Sequence, residues 1–188
     1  MDLKAVKILL QDFGDYVIQQ SRSNLTKGNK EYSKKLYNSL DYKISPDAKG
    51  LVISFIMEEY GLFQDEGVKG KDPSKVSPNA KITGQQAPNS RFRFGSGNYR
   101  GSFEKFAQRM SLFAKSKNIR FRQGKTGKFA KGGYKSMGYV IAKNIYYRGL
   151  KPSLFFTKPF EKRFKQLPPE LIAAFVNDFE KTIDDGNI

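Results

Sequence analysis

Asp65 and Glu66 are adjacent carboxylates whose spacing could serve acid–base chemistry or hold a metal ion. No third acid follows at ligand spacing, and the chain contains no His and no Cys. The commonest general base, the usual zinc ligands and thiolate chemistry are therefore excluded. A surface turn or an intersubunit salt bridge explains the pair more simply than a hydrolase site does. We predict no enzymatic activity, no metal and no cofactor.

Two glycine-rich stretches approach phosphate-binding patterns without completing them. Residues 124–128 read Gly-Lys-Thr-Gly-Lys. A P-loop needs a further glycine and a final Ser or Thr at positions that Arg122 and Phe129 occupy here. Residues 95–101 place their third glycine one residue late for a dinucleotide-binding fingerprint, and no βαβ unit surrounds them. Neither stretch predicts a nucleotide site.

Alternating basic and aromatic residues form a more informative pattern. Proteins that bind single-stranded nucleic acid use rings to stack on bases and cations to contact phosphates. The same alternation arises in any half-buried strand, whose rings face a core while its cations face solvent or an acidic neighbour. The candidate residues, facing either DNA or a protein interface, are Arg91, Phe92, Arg93, Phe94, Arg100, Arg120, Arg122, Lys125 and Lys128.

The positive charge of the chain is concentrated in one segment. The 188 residues hold 34 Lys and Arg against 18 Asp and Glu, a net charge of +16. Residues 67–140 hold 17 of these bases and only two acids, Asp72 and Glu104, which leaves +1 for the rest of the chain. Such asymmetry favours a polyanion or an acidic protein surface as partner.

Hydrophobic periodicity predicts the elements that position the N-terminal residues. A helix from residue 2 to about residue 21 has one apolar stripe at spacings of three and four. Residues 40–44 and 51–57 alternate between apolar and polar, and turn residues join them, which predicts a hairpin. The helix should cover the apolar face of this hairpin. We expect residues 22–35 to form a polar loop.

The remaining elements surround a long segment without periodicity. Glycines and prolines interrupt residues 67–101, a stretch well beyond the ~12–15 residues of ordinary loops. Helices are predicted at 102–117, 134–148 and 168–186, and residues 119–122 should be extended. The predicted fold class is α+β, with a small antiparallel, hairpin-based sheet packed by N-terminal and C-terminal helices and a long basic loop insert.

The predicted domain organisation is a single domain over residues 1–188 with an extended basic insert at residues 68–102. Glycine and proline should let this insert extend, with its backbone hydrogen bonds completed only on docking. The N-terminus lacks the apolar stretch of a secretory signal, and no run of residues approaches the length of a transmembrane helix. We therefore expect the product to stay in the cytoplasm or in an assembly formed there.

Three stretches of the chain resemble, in order, segments of one group of viral proteins. The hairpin that opens at residue 39 and leads to residues 57–67 resembles a strand that ends in a "YA-x-x-x-E-x-G" stretch, and residues 118–142 resemble a segment common in phage neck proteins. Residues 148–160, Arg-Gly-Leu-Lys-Pro-Ser-Leu-Phe-Phe-Thr-Lys-Pro-Phe, resemble a "GIKP-x-PFF-x-PAF" box. The chain thus resembles tailed-phage head–tail joining or tail-completion proteins, closest to podophage and crAss-like forms, over about residues 1–67 and 103–184.

The resemblance implies a structural virion subunit, a neck protein that forms a ring around the DNA path between portal and tail. Its implied partners are neighbouring copies in a homo-oligomeric ring, portal or adaptor proteins and tail proteins, with non-specific contact to genomic DNA and no membrane. The implied location is the virion neck or tail, after synthesis in the host cytoplasm. The family's structural box falls on Leu154, Phe155, Phe156, Pro159 and Phe160.

A second function class stays open beside this one. A basic nucleic-acid-binding protein could use the Arg- and Phe-rich segment directly, with rings on bases and cations on phosphates. A hydrolase that uses Asp65 and Glu66 is the least favoured of the three. The sequence leaves open whether the basic insert faces DNA or protein.

Overall fold

A computed structural model describes residues 3–28, 34–47, 50–77, 80–97, 102–122, 127–128, 133–169 and 171. These residues have the predicted α+β fold, with an antiparallel hairpin between N-terminal and C-terminal helices along the chain. They divide into two compact units. Unit 1 comprises residues 1–24, 41–56 and 155–188, and unit 2 comprises residues 25–40 and 57–154. The single domain stays a prediction.

The described residues contain six α-helices, four strands and one 3-10 turn at Pro73–Lys75. The helices are α1 (Leu3–Gly28), α2 (Lys35–Ser39), α3 (Tyr60–Glu66), α4 (Phe103–Ser116), α5 (Gly133–Arg148) and α6 (Thr157–Phe164). The strands are β1 (Asp41–Asp47), β2 (Gly50–Ile56), β3 (Val68–Lys69) and β4 (Gly149–Leu150), and they pair as β1 with β2 and β3 with β4.

α1 extends beyond its predicted end because its buried stripe continues. Phe13, Val17, Ser21 and Leu25 follow one another at four-residue spacing, and all four are buried. A small serine in this stripe interrupts the apolar period in the sequence, although it does not interrupt the packed face of the helix. The prediction of a helix end near residue 21 was therefore wrong.

The loop predicted after α1 also needs correction. The loop predicted at residues 22–35 is helical up to Gly28, and Lys35 begins α2, whereas residues 29–33 lie outside the described part of the chain. The stretch at residues 57–67, to which the hairpin leads, contains α3 over Tyr60–Glu66. Only Leu171 of the predicted C-terminal helix after Pro169 is described, and it is helical.

The hairpin of unit 1 has one inward and one outward face. β1 and β2 pair antiparallel in a register that places Tyr42 opposite Phe55 and Ser45 opposite Val52. Side chains alternate along β2, so Phe55 points inward and is partly buried, whereas Val52 and Ile56 are exposed. The predicted hairpin is confirmed.

α1 covers the inward face of this hairpin, as predicted, where Gly14 meets Tyr42. A Cβ atom at Gly14 would lie 2.7 Å from the Tyr42 ring, so a glycine permits this close approach. The Tyr42 hydroxyl donates a hydrogen bond to Asp15 Oδ1 at 2.8 Å. Burial, reinforced by the Asp15 carboxylate, raises the pKa of Tyr42 to about 12. The phenol therefore remains protonated at neutral pH and ties α1 to β1.

Aromatic rings fill the core of unit 1. The Phe13 ring lies edge-on to the rings of Phe55 and Phe160, with centroid distances of 6.0 and 5.3 Å. Phe156 packs edge-on against Phe55 at 5.2 Å, and Leu167 is buried in the same cluster. Edge-to-face ring pairs stabilise by roughly 0.5–1.5 kcal/mol beyond the area that they bury. The rings thus join α1, β2 and α6 into one core.

Unit 2 contains an antiparallel pair of long helices, α4 and α5. Ser102 caps α4 as predicted, because its hydroxyl accepts a hydrogen bond from the Lys105 N–H at 3.2 Å. Midway along the pair, a Cβ atom at Gly138 would lie within 2.5 Å of the Ser111 Cα. At the far end, the Tyr134 hydroxyl donates to Asn118 Oδ1 at 2.7 Å. The two helices therefore pack nearly backbone to backbone.

Candidate functional site

The basic insert folds back on unit 2, and we call its described residues, 68–77 and 80–97, the strap. The Lys69 N–H donates to the Phe92 carbonyl at 2.8 Å, and the Phe94 N–H donates to the Lys69 carbonyl at 2.9 Å. The strap is also bonded to the end of α5, since the Gln86 N–H donates to the Arg148 carbonyl at 2.7 Å. The expectation that these backbone groups wait for a docking partner is therefore wrong.

Glycines allow the strap to cross the chain after α5. Gly149 has a φ of +96°, and a Cβ atom there would lie 2.7 Å from the Gly70 nitrogen. Gly67, at a φ of +74°, would place a Cβ atom 2.5 Å from the Leu150 carbonyl oxygen. Because β3 and β4 pair at this crossing, no larger residue fits without moving the backbone.

Arg91 and Phe92, two of the predicted interface residues, are engaged within unit 2. The Arg91 Nε and Nη2 atoms each donate to a carboxylate oxygen of Glu66 at 3.0 Å. The same guanidinium lies 4.8 Å from the centroid of the Phe92 ring, and that ring packs edge-on against Phe63 at 4.6 Å. The salt bridge expected between subunits at Glu66 is thus formed within the chain.

The other carboxylate of that pair, Asp65, has a structural environment. Asp65 is only 2% exposed. Its backbone carbonyl accepts hydrogen bonds from the N–H groups of Ser153 at 3.1 Å and Leu154 at 3.0 Å. Within the described ranges, no three acidic side chains come together as a metal site would require. Asp65 and Glu66 therefore anchor α3 to its neighbours in unit 2.

Arg93 faces solvent, whereas the Phe94 ring packs against other rings of unit 2. Arg93 is exposed, although its backbone forms a parallel bridge with Lys69. The Phe94 ring stacks on Phe106 at 6.1 Å and lies 5.7 Å from Tyr146. The alternation of rings and cations therefore corresponds to a half-buried segment, the simpler of the two interpretations of the sequence.

The remaining predicted interface residues lie around the connection between α4 and α5. The Arg120 guanidinium lies 5.3 Å from the centroid of the Tyr134 ring. Arg122 is exposed, and its Nη1 donates to the Gly127 carbonyl at 3.2 Å. Lys128 is exposed as well. Arg100 and Lys125 lie outside the described residues.

Arg148, the last residue of α5, is partly buried next to the strap. Its Nη1 donates to the Ile82 carbonyl at 3.3 Å, and burial lowers the pKa of its guanidinium. Because an arginine stays protonated at any physiological pH, this change leaves its charge intact. Arg148 therefore holds the strap to the end of α5 through its Nη1, whereas its buried Nε has no hydrogen-bond partner.

The structural box lies mostly in the core of unit 1. Phe155 is fully buried, and its carbonyl accepts a hydrogen bond from Asn24 Nδ2 at 3.2 Å. Phe156 and Phe160 belong to the ring cluster around Phe13, and Pro159 is buried. Leu154, which belongs to unit 2, is partly buried at a φ of +51°.

The exposed cations of α4 and α5 form a second basic set that was not predicted from the sequence. We call it the basic helical face; its cations are all exposed, and they are Lys105, Arg109, Lys115, Lys135 and Lys143. On the same two helices, Leu112 of α4 and Tyr139 of α5 are 53% and 52% exposed. Helical spacing alone could have identified this surface, because Lys135, Tyr139 and Lys143 follow at intervals of four.

The two units differ sharply in charge. Unit 2 holds 24 Lys and Arg against seven Asp and Glu, a net charge of +17, whereas unit 1 holds 10 against 11, a net charge of −1. Three of the acids in unit 2 are engaged, because Asp65 is buried, Glu66 pairs with Arg91, and Asp72 pairs with Lys75 at 3.7 Å. The few acidic residues of unit 2 therefore neutralise only a small part of its positive charge.

The comparisons with known proteins give no relative from which a function could be transferred. No protein-family profile, no curated protein and no solved structure matches the chain. Among the helices of the described residues, none is long and apolar enough to cross a bilayer.

Proposed function

We propose that the chain is a structural virion subunit of the head–tail interface of a tailed phage, a neck or tail-completion protein that forms a ring around the DNA path. The observation that carries this proposal is the bare edge of β2. β2 spans seven residues, Gly50–Ile56, with no charged residue and no proline. Within the described residues it pairs only with β1.

The unpaired backbone groups of an exposed strand edge can pair with further strands. Charged residues or proline on the edge normally prevent such pairing. β1 carries both protections, in Lys43 and Pro46, and β2 carries neither. Val52 and Ile56 add exposed apolar surface on the outward face of β2. A strand from a neighbouring subunit would complete the backbone bonds of this edge, and head-to-tail repetition of such a contact generates a ring when the rotation between subunits closes.

The box at residues 148–160 supports the proposal in a second way. In the proteins that this chain resembles, the box is a structural motif. Here Phe155 is fully buried, and Phe156 and Phe160 pack in the ring cluster of unit 1. A structural role for these residues is what a virion subunit requires, and the proposal needs neither a catalytic residue nor a cofactor.

Mass spectrometry of purified virions tests this proposal directly. In particles of the phage that encodes the chain, we expect peptides of this protein in a constant ratio to the portal protein after gradient purification. Its absence from intact, infectious particles would contradict a virion role.

The alternative is a nucleic-acid-binding protein that stacks bases on the rings of the Arg- and Phe-rich segment. The net charge of +17 in unit 2 favours some polyanionic contact. Base stacking on this segment is less well supported, because Phe92 already packs on Phe63, and Phe94 on Phe106 and Tyr146. We therefore place this function second.

A further inference from the structure

We infer that the basic helical face, not the strap, binds the phosphate backbone of duplex DNA without reading its sequence. The inference rests on the proposed function, since it assigns the DNA-facing surface of the proposed ring subunit. It differs from the sequence-based expectation, which placed the interface cations on the Arg- and Phe-rich segment.

Several cations of the strap already have partners within unit 2. Arg91 forms two hydrogen bonds to Glu66, and Lys75 pairs with Asp72 at 3.7 Å. The Lys71 ammonium lies 5.7 Å from the centroid of the Tyr146 ring. Binding a polyanion through these side chains would require breaking or sharing contacts that hold the strap in place.

Two cations of α5, Lys135 and Lys143, have no such engagement. Lys135 and Lys143 are exposed, and no carboxylate among the described residues forms an ion pair with either of them. α5 itself contains no acidic residue. Eight residues of helix place the two lysines about 12 Å apart along one side, with Tyr139 midway between them. Lys105 and Arg109 stand one turn apart on α4.

The helices that carry these cations are held firmly. Gly138 packs directly on Ser111, and the Phe103 ring packs edge-on against Tyr139 at 5.5 Å and Tyr146 at 5.9 Å. The backbone positions that carry these side chains are therefore fixed before any ligand arrives. Only the flexible lysine side chains have to be ordered on binding. Such preorganisation reduces the entropic cost of binding.

Lysine-rich composition favours nucleic acid over an acidic protein surface. Four of the five cations on the basic helical face are lysines. Protein–protein interfaces are depleted of lysine and enriched in arginine, whereas lysine contacts phosphate oxygens as a point charge. A second copy of this chain offers no strongly acidic unit either, because unit 1 has a net charge of only −1.

The rings favour backbone contacts to a duplex over stacking on a single strand. Proteins that bind single strands without sequence preference expose several aromatic side chains as stacking platforms. Tyr139 is the one strongly exposed ring on α4 and α5, and Phe103 packs against it. Its hydroxyl remains suited to donate a hydrogen bond to a phosphate oxygen.

Fluorescence anisotropy of the full chain with a mixed-sequence 30-base-pair duplex tests the inference across a salt series. The double variant K135Q/K143Q should reduce the slope of log K against log salt by about 1.8, because each lost phosphate contact removes about 0.9. At 0.05 M salt its affinity should fall roughly tenfold for each lost contact. A duplex of different sequence should give the same values.

Two matched variants control for the loss of two positive charges. K81Q/R93Q removes two exposed cations of the strap, and K158Q/K162Q removes two exposed cations of α6 in unit 1. Neither should change the salt slope by more than half as much as K135Q/K143Q does. A larger effect of the strap variant, or an unchanged slope for K135Q/K143Q with an intact melting temperature, would overturn the inference.

Competition separates nucleic acid from acidic protein. Polyglutamate at equal charge concentration should displace the duplex poorly, and displacement as effective as that by unlabelled DNA would assign the face to an acidic protein partner. Because these measurements use the purified chain, they are independent of particle assembly. DNA binding by the helical face in a protein absent from virions would contradict the proposed function alone, and incorporation into virions without such binding would contradict the inference alone.

Discussion

Unit 1 and unit 2 are built on different physical principles. Unit 1 is almost neutral, and a cluster of phenylalanine rings around Phe13 joins its helices to its hairpin. Unit 2 carries a net charge of +17 and relies on backbone crossings that glycines such as Gly149 permit. Rings also pack in unit 2, such as Phe92 on Phe63, so the two units differ in net charge and in the close backbone crossings of unit 2, and each unit should fail in its own way.

The largest effect should come from removing a buried ring of unit 1. Phe155→Ala should lower the free energy of unfolding by about 3–5 kcal/mol, because the ring is fully buried and leaves a cavity. Phe156→Ala should cost less, since Phe156 is only partly buried. Hydrogen exchange should show β2 opening before α4 and α5. Equal loss of protection in both units would show that they unfold together.

The next largest effect should come from filling the glycine crossing of unit 2. Gly149→Ala combines a positive φ with a close backbone contact, and it should cost about 3 kcal/mol or more. Gly84→Ala is the matched control, because Gly84 also has a positive φ but no atom within 4 Å of a Cβ position. It should cost only about 1 kcal/mol. Thermal melts of both variants measure the difference, and equal losses would show that contact at the crossing is unimportant.

A smaller effect is expected from the ion pair of the strap. Arg91→Gln should cost up to about 1 kcal/mol, because the Arg91 side chain is 55% exposed and solvent screens the pair with Glu66. Hydrogen exchange should nevertheless increase at the amides of Lys69 and Phe94, which the strap protects. Unchanged protection there would show that the backbone bonds alone hold the strap in place.

The smallest effect on stability should accompany the largest effect on assembly. V52K/I56K places charges on the exposed face of β2, so the melting temperature of the isolated chain should change little. If β2 pairs with a neighbour, the variant should be lost from particles in a complementation assay. Lys43→Gln on β1 is the matched exposed control. Normal incorporation of V52K/I56K would contradict the use of the β2 edge.

Local periodicity was sufficient to predict much of the fold. It predicted α4, α5 and the hairpin, because their apolar residues recur at 3.6 or 2 positions and their caps and turns are encoded nearby. It missed the end of α1, where Ser21 occupies a buried position of the stripe. The folding of the strap could not be predicted, because Lys69 bonds to Phe92 and Gln86 bonds to Arg148, far apart along the chain.

The candidate site was predicted only in part for the same reason. The sequence identified Arg91 as a basic residue beside a ring, but its state depends on Glu66, a partner 25 positions away. Lys135 and Lys143 of α5 were not predicted as interface residues, because they recur at helical spacing and do not alternate with rings along an extended segment. A helical projection of residues 133–148 would have placed Lys135, Tyr139 and Lys143 on one side.

The contact between Gly138 and Ser111 has a consequence for the width of the charged surface. Helix pairs lie about 8–10 Å apart, and the side chains at their contact set the value within that range. A bare glycine against serine places α4 and α5 near the lower limit, and with them the two rows of positive charge that they carry. Gly138, which is uncharged and buried, thus sets the distance between the positive charges on α4 and those on α5. Gly138→Ala would increase this distance without altering the charge.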